Sequence, residues 1–271
     1  MQRLFVLGTL LFFLSCDEQK EPIEPFTPPE GERVILIEEF TGIGCTNCPK
    51  GSREIESLLT QYPDNLVAVS IHAGFFSDTS TFSFGKYDFR TEDGTALYSY
   101  IGAPLGYPSA SINRTPVAGD LQLSLNQWSS AINRDIQVDP AVEILLEVSY
   151  DTGSRLLVVN TSTVAKENIS GDLRLSIMLT ESGIVDAQDD LEFGGINYNY
   201  VHNQVLRDML TPATGETLSN SVMIGQVLPK SYSFTLPAQW VAENMEVIAF
   251  VSSDNANGIP VLQAAHSHLI E

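Results

Sequence analysis

Two cysteines one helical turn apart constrain this chain more than any other feature. Cys45 and Cys48 lie in the segment IEEFTGIGCTNCPKG, after a short apolar run and directly before Pro49. The β-branched apolar run predicts a buried strand, and the residues after the cysteines predict a helix. Cys45 would then lie at the helix N-terminus, where unpaired amides favour the thiolate, and Cys48 would lie on the same helical face. Pro49 suits the first helical turn, where its missing N–H is not needed.

Three interpretations of this pair follow from its spacing. A zinc site needs two further soft ligands, and Cys16 is the only other cysteine, so we expect no metal and no cofactor. In an oxidising compartment the two thiols tend to form a disulfide, but a loop this short stabilises a fold only weakly. The third interpretation, which we favour, is a redox centre in which Cys45 and Cys48 form a disulfide and Cys48 acts as the resolving thiol.

Two residues outside the pair fit a redox centre. Glu39 lies on the strand that leads to Cys45, and a carboxylate under the pair could move protons during exchange; the alternative is a solvated strand end. Its neighbour Glu38 must point to the opposite face of the sheet. Pro108, in GYPSASINR, begins a third predicted strand, where a proline marks a turn or a cis bond. Cys45, Cys48, Glu39 and Pro108 are therefore the candidate catalytic residues.

These segments resemble the thioredoxin superfamily. The matching pieces are VILIEEF, CTNCP and GYPS. The resemblance implies that Cys45 attacks a disulfide and that Cys48 resolves the mixed disulfide. It also implies that Pro108 is a cis-proline facing the pair, and that Glu39 stands where thioredoxins often have a buried aspartate. Gly44 replaces the tryptophan usual in that family, so we expect a different substrate surface.

The N-terminal segment predicts a lipid anchor. Residues 1–16 hold Arg3, an apolar core too short to span a bilayer, and the ending FLSC, which together are typical of a secretory signal peptide. FLSC resembles the lipobox of bacterial lipoproteins, in which the cysteine, here Cys16, is acylated with fatty acids such as palmitate. Residues 17–32 are acidic and rich in proline, and they predict an extended tether between the lipid and the folded part. Asp17 directly after the cysteine resembles a signal that holds some lipoproteins at the inner membrane, whereas the acidic run resembles a surface-export signal of Bacteroidetes lipoproteins.

The layout of the whole chain is similar to that of a narrower family. A lipoprotein signal, an acidic tether, EEFTGIGCTNCP, GYPSASINR and a β-rich second half with VHNQVLRDML and VLQAAHSHLI resemble the outer-membrane-protein-28-related family of Bacteroidetes lipoproteins. This resemblance implies a cell-envelope lipoprotein of the outer membrane, with surface exposure as one alternative. It also implies a thioredoxin-like domain and an immunoglobulin-like domain, but little about activity.

The hydrophobic pattern changes near Asp139-Pro140. Before this point predicted strands and helices alternate, which indicates an α/β layer; after it, short alternating runs separated by turn residues indicate an antiparallel sandwich. We therefore expect an α/β plus all-β fold, with a thioredoxin-like domain at residues 33–138 and an immunoglobulin-like β-sandwich at 139–271. Thr91 is expected to cap a helix and residues 74–88 to form a long loop. YNYVHNQVLRDML is expected to form a short helix or an irregular arm.

Three histidines and an acidic segment are weaker candidates for a site. His72 ends the second predicted strand and could join the cysteines in a copper site, but copper carriers usually have three residues between their cysteines, so a packing histidine is favoured. His266 and His268 share one face of the last predicted strand, and a surface position is favoured for both. DAQDDLEFGG lacks the spacing of a calcium loop, and we expect a solvated loop.

Two functional hypotheses remain. The 34 acidic and 14 basic residues, a formal net charge of -20, argue against nucleic-acid binding. The leading hypothesis is thiol-disulfide exchange on envelope proteins, which would make the chain an oxidoreductase. The competing hypothesis is a surface binding or adhesion lipoprotein whose thioredoxin-like fold is only a scaffold. Tyr198, Tyr200 and Trp240 could line a binding surface, although a core or interdomain position is the more frequent use of aromatic side chains.

Overall fold

The computed structural model describes residues 33–255 and 258–270, and this part of the chain is mostly β. Three α-helices lie in its first half: α1 is Cys48–Gln61, α2 is Glu92–Ile101 and α3 is Trp128–Asp135. The strands, β1 to β14 in chain order, are Ile35–Thr41, Leu66–His72, Ser109–Ile112, Leu123–Ser124, Val142–Asp151, Leu156–Ala165, Ile169–Glu181, Ile184–Asp190, Gly195–His202, Val205–Met209, Glu216–Val222, Val227–Thr235, Met245–Asp254 and Val261–His268. The predicted signal peptide, Cys16 and the predicted tether lie outside the described residues.

One mixed sheet of nine strands runs through both halves of the chain. Its order is β14-β13-β7-β10-β2-β1-β3-β4, and β11 pairs with β7. β1 lies parallel to β2 and antiparallel to β3. β10 joins β2 in parallel, with Val205 opposite Ser70, and so connects strands that follow residue 139 to strands that precede it. Strands β12-β6-β5 form a second sheet, and β8 and β9 form a hairpin of their own.

Apolar side chains form three main cores around these sheets. α1 and α3 cover one face of β1 and β2, with Ile55 and Trp128 among the buried residues. α2 covers the opposite face, where its Leu97 belongs to the same core as Phe250 of β13. The third core lies among β5, β6, β7 and β13 and includes Val159. Because the second core draws residues from both halves, β1 and β2 need the later strands to bury one of their faces.

Local signals predicted the helix caps and the long loop. Thr91 lies at the N-cap of α2, where its side chain accepts a hydrogen bond from Gly94 N at 2.8 Å, so the capping prediction is confirmed. Residues 74–88 form a loop that contains only the short 3-10 helix Phe75–Ser77, which also agrees with the prediction.

The start of α1 differs from the prediction. The helix begins at Cys48, and Cys45 lies three residues earlier, in a turn closed by a hydrogen bond from Cys48 N to Cys45 O at 3.1 Å. The helix N-terminus therefore lies at the second cysteine, and the first cysteine belongs to the loop that enters it.

Two predictions for the second half are wrong. YNYVHNQVLRDML is not a helix or an irregular arm, because it lies in strands β9 and β10. The prediction of a solvated loop for DAQDDLEFGG is wrong for DAQDD, which belongs to β8 and buries Asp186, Gln188 and Asp190; it holds for the exposed turn at residues 191–194. The buried polar residues of β8 recur with a period of two, which is the period of a strand with one covered face. Their polarity hid this period from an analysis based on hydrophobicity.

Candidate functional site

A disulfide closes the loop that follows β1. Cys45 and Cys48 are bonded to each other, with their Cα atoms 5.3 Å apart. Only 3% of Cys45 and 1% of Cys48 is exposed, whereas Thr46 and Asn47 between them are exposed. An approaching molecule therefore meets the two intervening residues before it meets the sulfur atoms.

Glu39 is a buried carboxyl group on β1. Its side chain is fully buried, on the face of the strand that α1 covers. Ser70 Oγ donates a hydrogen bond to Glu39 Oε2 at 3.1 Å, and Oε1 has no hydrogen-bond partner among the described residues. Loss of water on burial disfavours the carboxylate and raises the pKa of Glu39 to about 8. The alternative of a solvated strand end is therefore wrong.

Glu39 and Pro108 meet beside the first turn of α1. A Cβ atom on Gly51 would lie 2.4 Å from Glu39 Oε1 and 2.8 Å from Pro108 Cβ. Gly51 follows Cys48 by three residues, so both side chains lie against the helical turn that carries the disulfide. The Tyr107-Pro108 peptide bond is cis. The structure thus brings the second cysteine, the buried carboxyl group and the proline together.

Glu38 points to the other face of the sheet, as its position next to Glu39 predicts. Arg114 Nη2 lies 2.7 Å from Glu38 Oε1, and Arg114 Nε lies 2.9 Å from Glu38 Oε2, in a two-pronged ion pair whose side chains are both fully buried. The guanidinium also lies over the ring of Phe250 at 4.9 Å. Glu38 therefore has a cation to balance its charge, and within the described residues Glu39 has none.

The β8–β9 hairpin lies against the loop that carries the cysteines. Four hydrogen bonds join the two: from Gln188 Nε2 to Gly42 O (3.2 Å) and to Cys45 O (3.1 Å), from Asp189 N to Ile43 O (2.8 Å), and from Leu191 N to Thr46 O (3.0 Å). Arg53 on α1 adds ion pairs to Asp190 at 3.5 Å and Glu192 at 2.6 Å. Residues that follow Cys45 by more than 140 positions thus hold its backbone in place.

A small polar cavity lies between this hairpin and the sheet. Its volume is about 10 Å³, close to the space that one water molecule needs. Ser70 and His72 of β2 line it from the sheet, and Tyr200 and His202 of β9 line it from the hairpin. Desolvation disfavours the imidazolium form, so it lowers the pKa of His72 well below its ordinary value and that of His202 to about 4.

An aromatic cluster occupies the space beside Gly44. A Cβ atom on Gly44 would lie 2.3 Å from the ring of Phe82. Phe82 contacts Phe75 and Phe76, with ring centroids 5.5 and 6.1 Å away, and 63% of Phe75 is exposed. The loop at residues 74–88 thus places aromatic rings beside Gly44, the residue that stands where thioredoxins usually carry a tryptophan.

A surface groove of about 540 Å³ lies between the start of α1 and Pro108. Asn47 and Lys50 line it from the cysteine loop and α1, and Tyr107, Pro108 and Leu125 line it from the other side. The groove therefore joins the exposed residues between the cysteines to the proline.

The other predicted candidates lie elsewhere or pack in the core. His72 lies in an aromatic stack with Phe89 and His202, at ring-centroid distances of 4.8 and 5.7 Å. Across the described part of the chain, no group of three His, Cys, Asp or Glu residues is arranged to hold a metal ion. His266 forms an ion pair with Glu246 at the far edge of the large sheet.

The three aromatic candidates have three different environments. Trp240 is buried in the core between the sheets and stacks on Phe234, as is usual for aromatic residues. Tyr198 is 60% exposed, and Tyr200 lines the polar cavity.

Comparison with protein families decides where the chain belongs. The model of a family described as outer membrane protein Omp28 matches residues 94–268, which is more than half of the chain and includes both sides of residue 139. The protein belongs to the Omp28 family. This membership places it in the outer membrane of the cell envelope, as the sequence predicted. Among residues 33–255 and 258–270, no helix has both the length and the apolar character needed to cross a bilayer. The matched range does not include Cys45 and Cys48.

Solved structures resemble this Omp28 family member over most of its length. HBP35 of Porphyromonas gingivalis matches with a TM-score of 0.67 and 17% identity, over 88% of this chain and 76% of that chain. Protein AGR_C_4864 of Agrobacterium tumefaciens matches with a TM-score of 0.55 and 14% identity, over 89% of this chain and 96% of that chain. At these identities the likeness concerns the fold alone. Comparison with curated proteins gave no match.

The contribution of the β8–β9 hairpin to the site was not predicted from the sequence. Gln188, Tyr200 and His202 come from segments that were expected to form a loop and an arm. Asp186 of the same hairpin accepts hydrogen bonds from Lys86 N and Tyr87 N, each at 2.8 Å, and so ties down the aromatic loop as well. The period of two in DAQDD and in YNYVH was the signal that could have identified two strands with polar covered faces.

Proposed function

We propose that this Omp28 family member carries out thiol-disulfide exchange on other envelope proteins, with Cys45 as the attacking thiol and Cys48 as the resolving thiol. The observation that carries the proposal is the buried carboxyl group of Glu39, which lies beside the helical turn of the disulfide without a cation to balance it. Structural carboxylates in a protein interior are normally paired, as Glu38 is with Arg114. A buried acid with a pKa near the working pH is suited to proton transfer.

The reaction would start from the reduced pair and a disulfide in the substrate protein. The Cys45 thiolate attacks one substrate sulfur, so that a mixed disulfide forms and the other substrate sulfur leaves as a thiolate. The ionised Glu39 then takes the proton of Cys48. The Cys48 thiolate attacks Cys45, the Cys45–Cys48 disulfide forms, and the second substrate sulfur leaves. Two electrons pass from the pair to the substrate, and the same steps in reverse oxidise a substrate dithiol.

The groove beside Pro108 is our proposed contact surface for the substrate. It leads to the exposed residue Asn47 between the cysteines, and the cysteines themselves are almost fully buried. An extended segment of a partner protein can enter a groove of this size, whereas a flat protein surface cannot reach the pair. The partners that we propose are therefore envelope proteins with a flexible or unfolded cysteine-containing segment.

We further propose that the fold is a thioredoxin-like layer at residues 33–138 joined to an immunoglobulin-like sandwich at 139–271. Support for the first part comes from β1, β2 and β3 with α1 and α3 on one face and α2 on the other. Support for the second comes from the sheet β12-β6-β5, which packs against β7 and β13. A signal peptide at residues 1–16 would direct export, and acylation of Cys16 with a tether at 17–32 would hold this fold at the membrane.

Trapping tests the exchange activity. The full-length Cys48→Ser variant lacks the resolving thiol, so we expect it to accumulate mixed disulfides between Cys45 and envelope proteins. These complexes should disappear on reduction and can be identified by mass spectrometry of non-reduced samples. The matched control is the double variant Cys45→Ser, Cys48→Ser.

Two outcomes would contradict the proposal. If Cys48→Ser traps no more protein than the double variant, Cys45 is not an exchanging thiol. If both variants retain the same partners without a covalent bond, the protein is a binding or adhesion lipoprotein, as in the competing hypothesis.

A further inference from the structure

Four side chains form a polar patch on the α1 face of the sheet. Glu39 of β1 lies opposite Ser70 of β2, and Thr41 lies opposite His72. All four are buried. Ser70 Oγ donates to Glu39 Oε2 at 3.1 Å. The carboxyl group is therefore joined by a hydroxyl group to residues further along the sheet.

The β8–β9 hairpin covers this patch with further polar side chains. Tyr200 and His202 point into the one-water cavity that Ser70 and His72 line from below. The ring of His202 lies 5.7 Å from that of His72 and 4.8 Å from that of Tyr200. A water molecule in this cavity has hydroxyl and imidazole groups on several sides.

The imidazole nitrogen atoms at this cavity are available as partners. Nε2 of His202 and both ring nitrogens of His72 make no hydrogen bond of good geometry in the described parts of the chain, although the backbone of Ser70 lies close to the His72 ring. Such orphaned polar atoms are uncommon in protein interiors and call for a water molecule or a function. A neutral imidazole can donate through one nitrogen and accept through the other, so each ring can pass a proton on without holding it.

Tyr200 connects the cavity to the surface. Its hydroxyl group lies near Ser52 on α1 and within electrostatic range of both Glu39 and Glu56. Glu56 is exposed and accepts a hydrogen bond from Asn203 Nδ2 at 3.1 Å. The groups from Glu39 through the cavity to Glu56 thus lead from a fully buried acid to solvent.

We propose that Ser70, His72, His202 and Tyr200, together with one water molecule, form a proton path between Glu39 and solvent. The proposal rests on the proposed exchange function and adds a role for the hairpin. Because the pKa of Glu39 is about 8, the acid is mostly protonated at neutral pH, and it must release this proton to solvent before it can take the proton of Cys48 and allow the second substrate sulfur to leave. The proton leaves through the Ser70 hydroxyl, the water molecule and the Tyr200 hydroxyl, and each oxygen accepts one proton as it releases another. His72 and His202 hold the water molecule between these hydroxyl groups.

Charged groups from several elements face this path. They are Arg53 and Glu56 on α1, Asp88 in the aromatic loop, Asp186 on β8 and Arg207 on β10. These charged groups set the electrostatic field along the path. Other contacts fix the position of each of them. The transfer steps therefore fall to the neutral side chains that line the cavity.

The test uses Tyr200→Phe, which removes the hydroxyl group and keeps the ring. Its matched control is Tyr198→Phe, on the same strand with an exposed side chain. Reduced full-length protein is mixed with one equivalent of the aromatic disulfide 5,5′-dithiobis(2-nitrobenzoate), and stopped-flow absorbance follows two releases of the thiolate. The first reports attack by Cys45 and the second reports resolution by Cys48.

We expect Tyr200→Phe to slow the second release by about tenfold at neutral pH, a part of the acceleration that general acid-base catalysis supplies. The first release should keep its wild-type rate. The defect should vanish at alkaline pH, where Cys48 is already ionised. Ser70→Ala should show the same pattern, and Tyr198→Phe should match the wild type.

A second release in Tyr200→Phe and Ser70→Ala that equals the wild type overturns the proton path and leaves the exchange function standing. An equal slowing at every pH also overturns it, because such a defect is structural. If the wild type itself releases no thiolate, the exchange function fails, and the proton path fails with it.

Discussion

Burial of Glu39 should make the stability of the protein fall as the pH rises. The pKa of an ordinary glutamate is 4.5, and in the folded protein desolvation raises that of Glu39 to about 8. Between these values the unfolded chain releases a proton that the folded chain keeps, so stability is full below pH 4.5 and is lost as the pH rises to about 8. At about 1.36 kcal/mol per pH unit, the loss is on the order of 5 kcal/mol.

Substitution Glu39→Gln should remove this loss. The amide can still accept a hydrogen bond from Ser70 and carries no charge at any pH. We expect the variant and the wild type to have similar free energies of unfolding near pH 4.5, and the variant to become progressively more stable towards pH 8. The measurement is guanidinium denaturation across this pH range, with the disulfide kept intact. Glu147→Gln, at an exposed position on β5, controls for the loss of one negative charge.

Two results of these denaturation experiments would contradict the desolvation of Glu39. If the difference between Glu39→Gln and the wild type is the same at every pH, the carboxyl group titrates normally and is not desolvated in solution. If Glu147→Gln changes the pH dependence as much as Glu39→Gln does, net charge and not burial is the cause.

Two further predictions concern the packing around the site. Gly51→Ala should destabilise the protein by about 1–3 kcal/mol, because the new methyl group would overlap Glu39. The control Ser57→Ala, at an exposed position of the same helix, should instead stabilise it by about 0.5 kcal/mol through helix propensity. If chemical denaturation finds both substitutions stabilising, the overlap with Glu39 is contradicted. Arg114→Met should cost about 3–5 kcal/mol because it leaves the charge of Glu38 buried without a partner. Adding Glu38→Gln to that variant should restore much of the loss in the same assay, and an unchanged loss would show that packing of Arg114 on its aromatic neighbours is what matters.

The first half of the chain was predictable because its signals are local. An apolar run, a Thr91 cap and helical spacing each act within a few residues, and β1, α1, β2 and α2 were identified from them. The mutual placement of Glu38 and Glu39 also follows from the alternation of a strand. Whether a strand face meets water or a helix is not a local property, however, and the burial of Glu39 needed α1 and Gly51 in place.

The contribution of the second half of the chain to the site could not be predicted from such local signals. Gln188 reaches Cys45 across 143 residues, and no periodicity reports a contact at that separation. The hairpin was also masked by its composition, because its inward positions hold acids, an amide and a histidine. These side chains form hydrogen bonds with backbone groups and line a polar cavity. They are therefore buried although they are polar, and a hydrophobic pattern does not reveal them.

The nine-stranded sheet bears on how proteins of this kind can be recombined. β2 has β1 along one edge and β10 along the other, and the cysteine loop is held by β8. A fragment that ends near residue 139 would expose an unpaired strand edge and an apolar face, which favours aggregation. Exchange of the cysteine-bearing half between relatives would therefore have to carry the hairpin and β10 with it. What looks in the sequence like two modules in tandem would then be inherited as one unit.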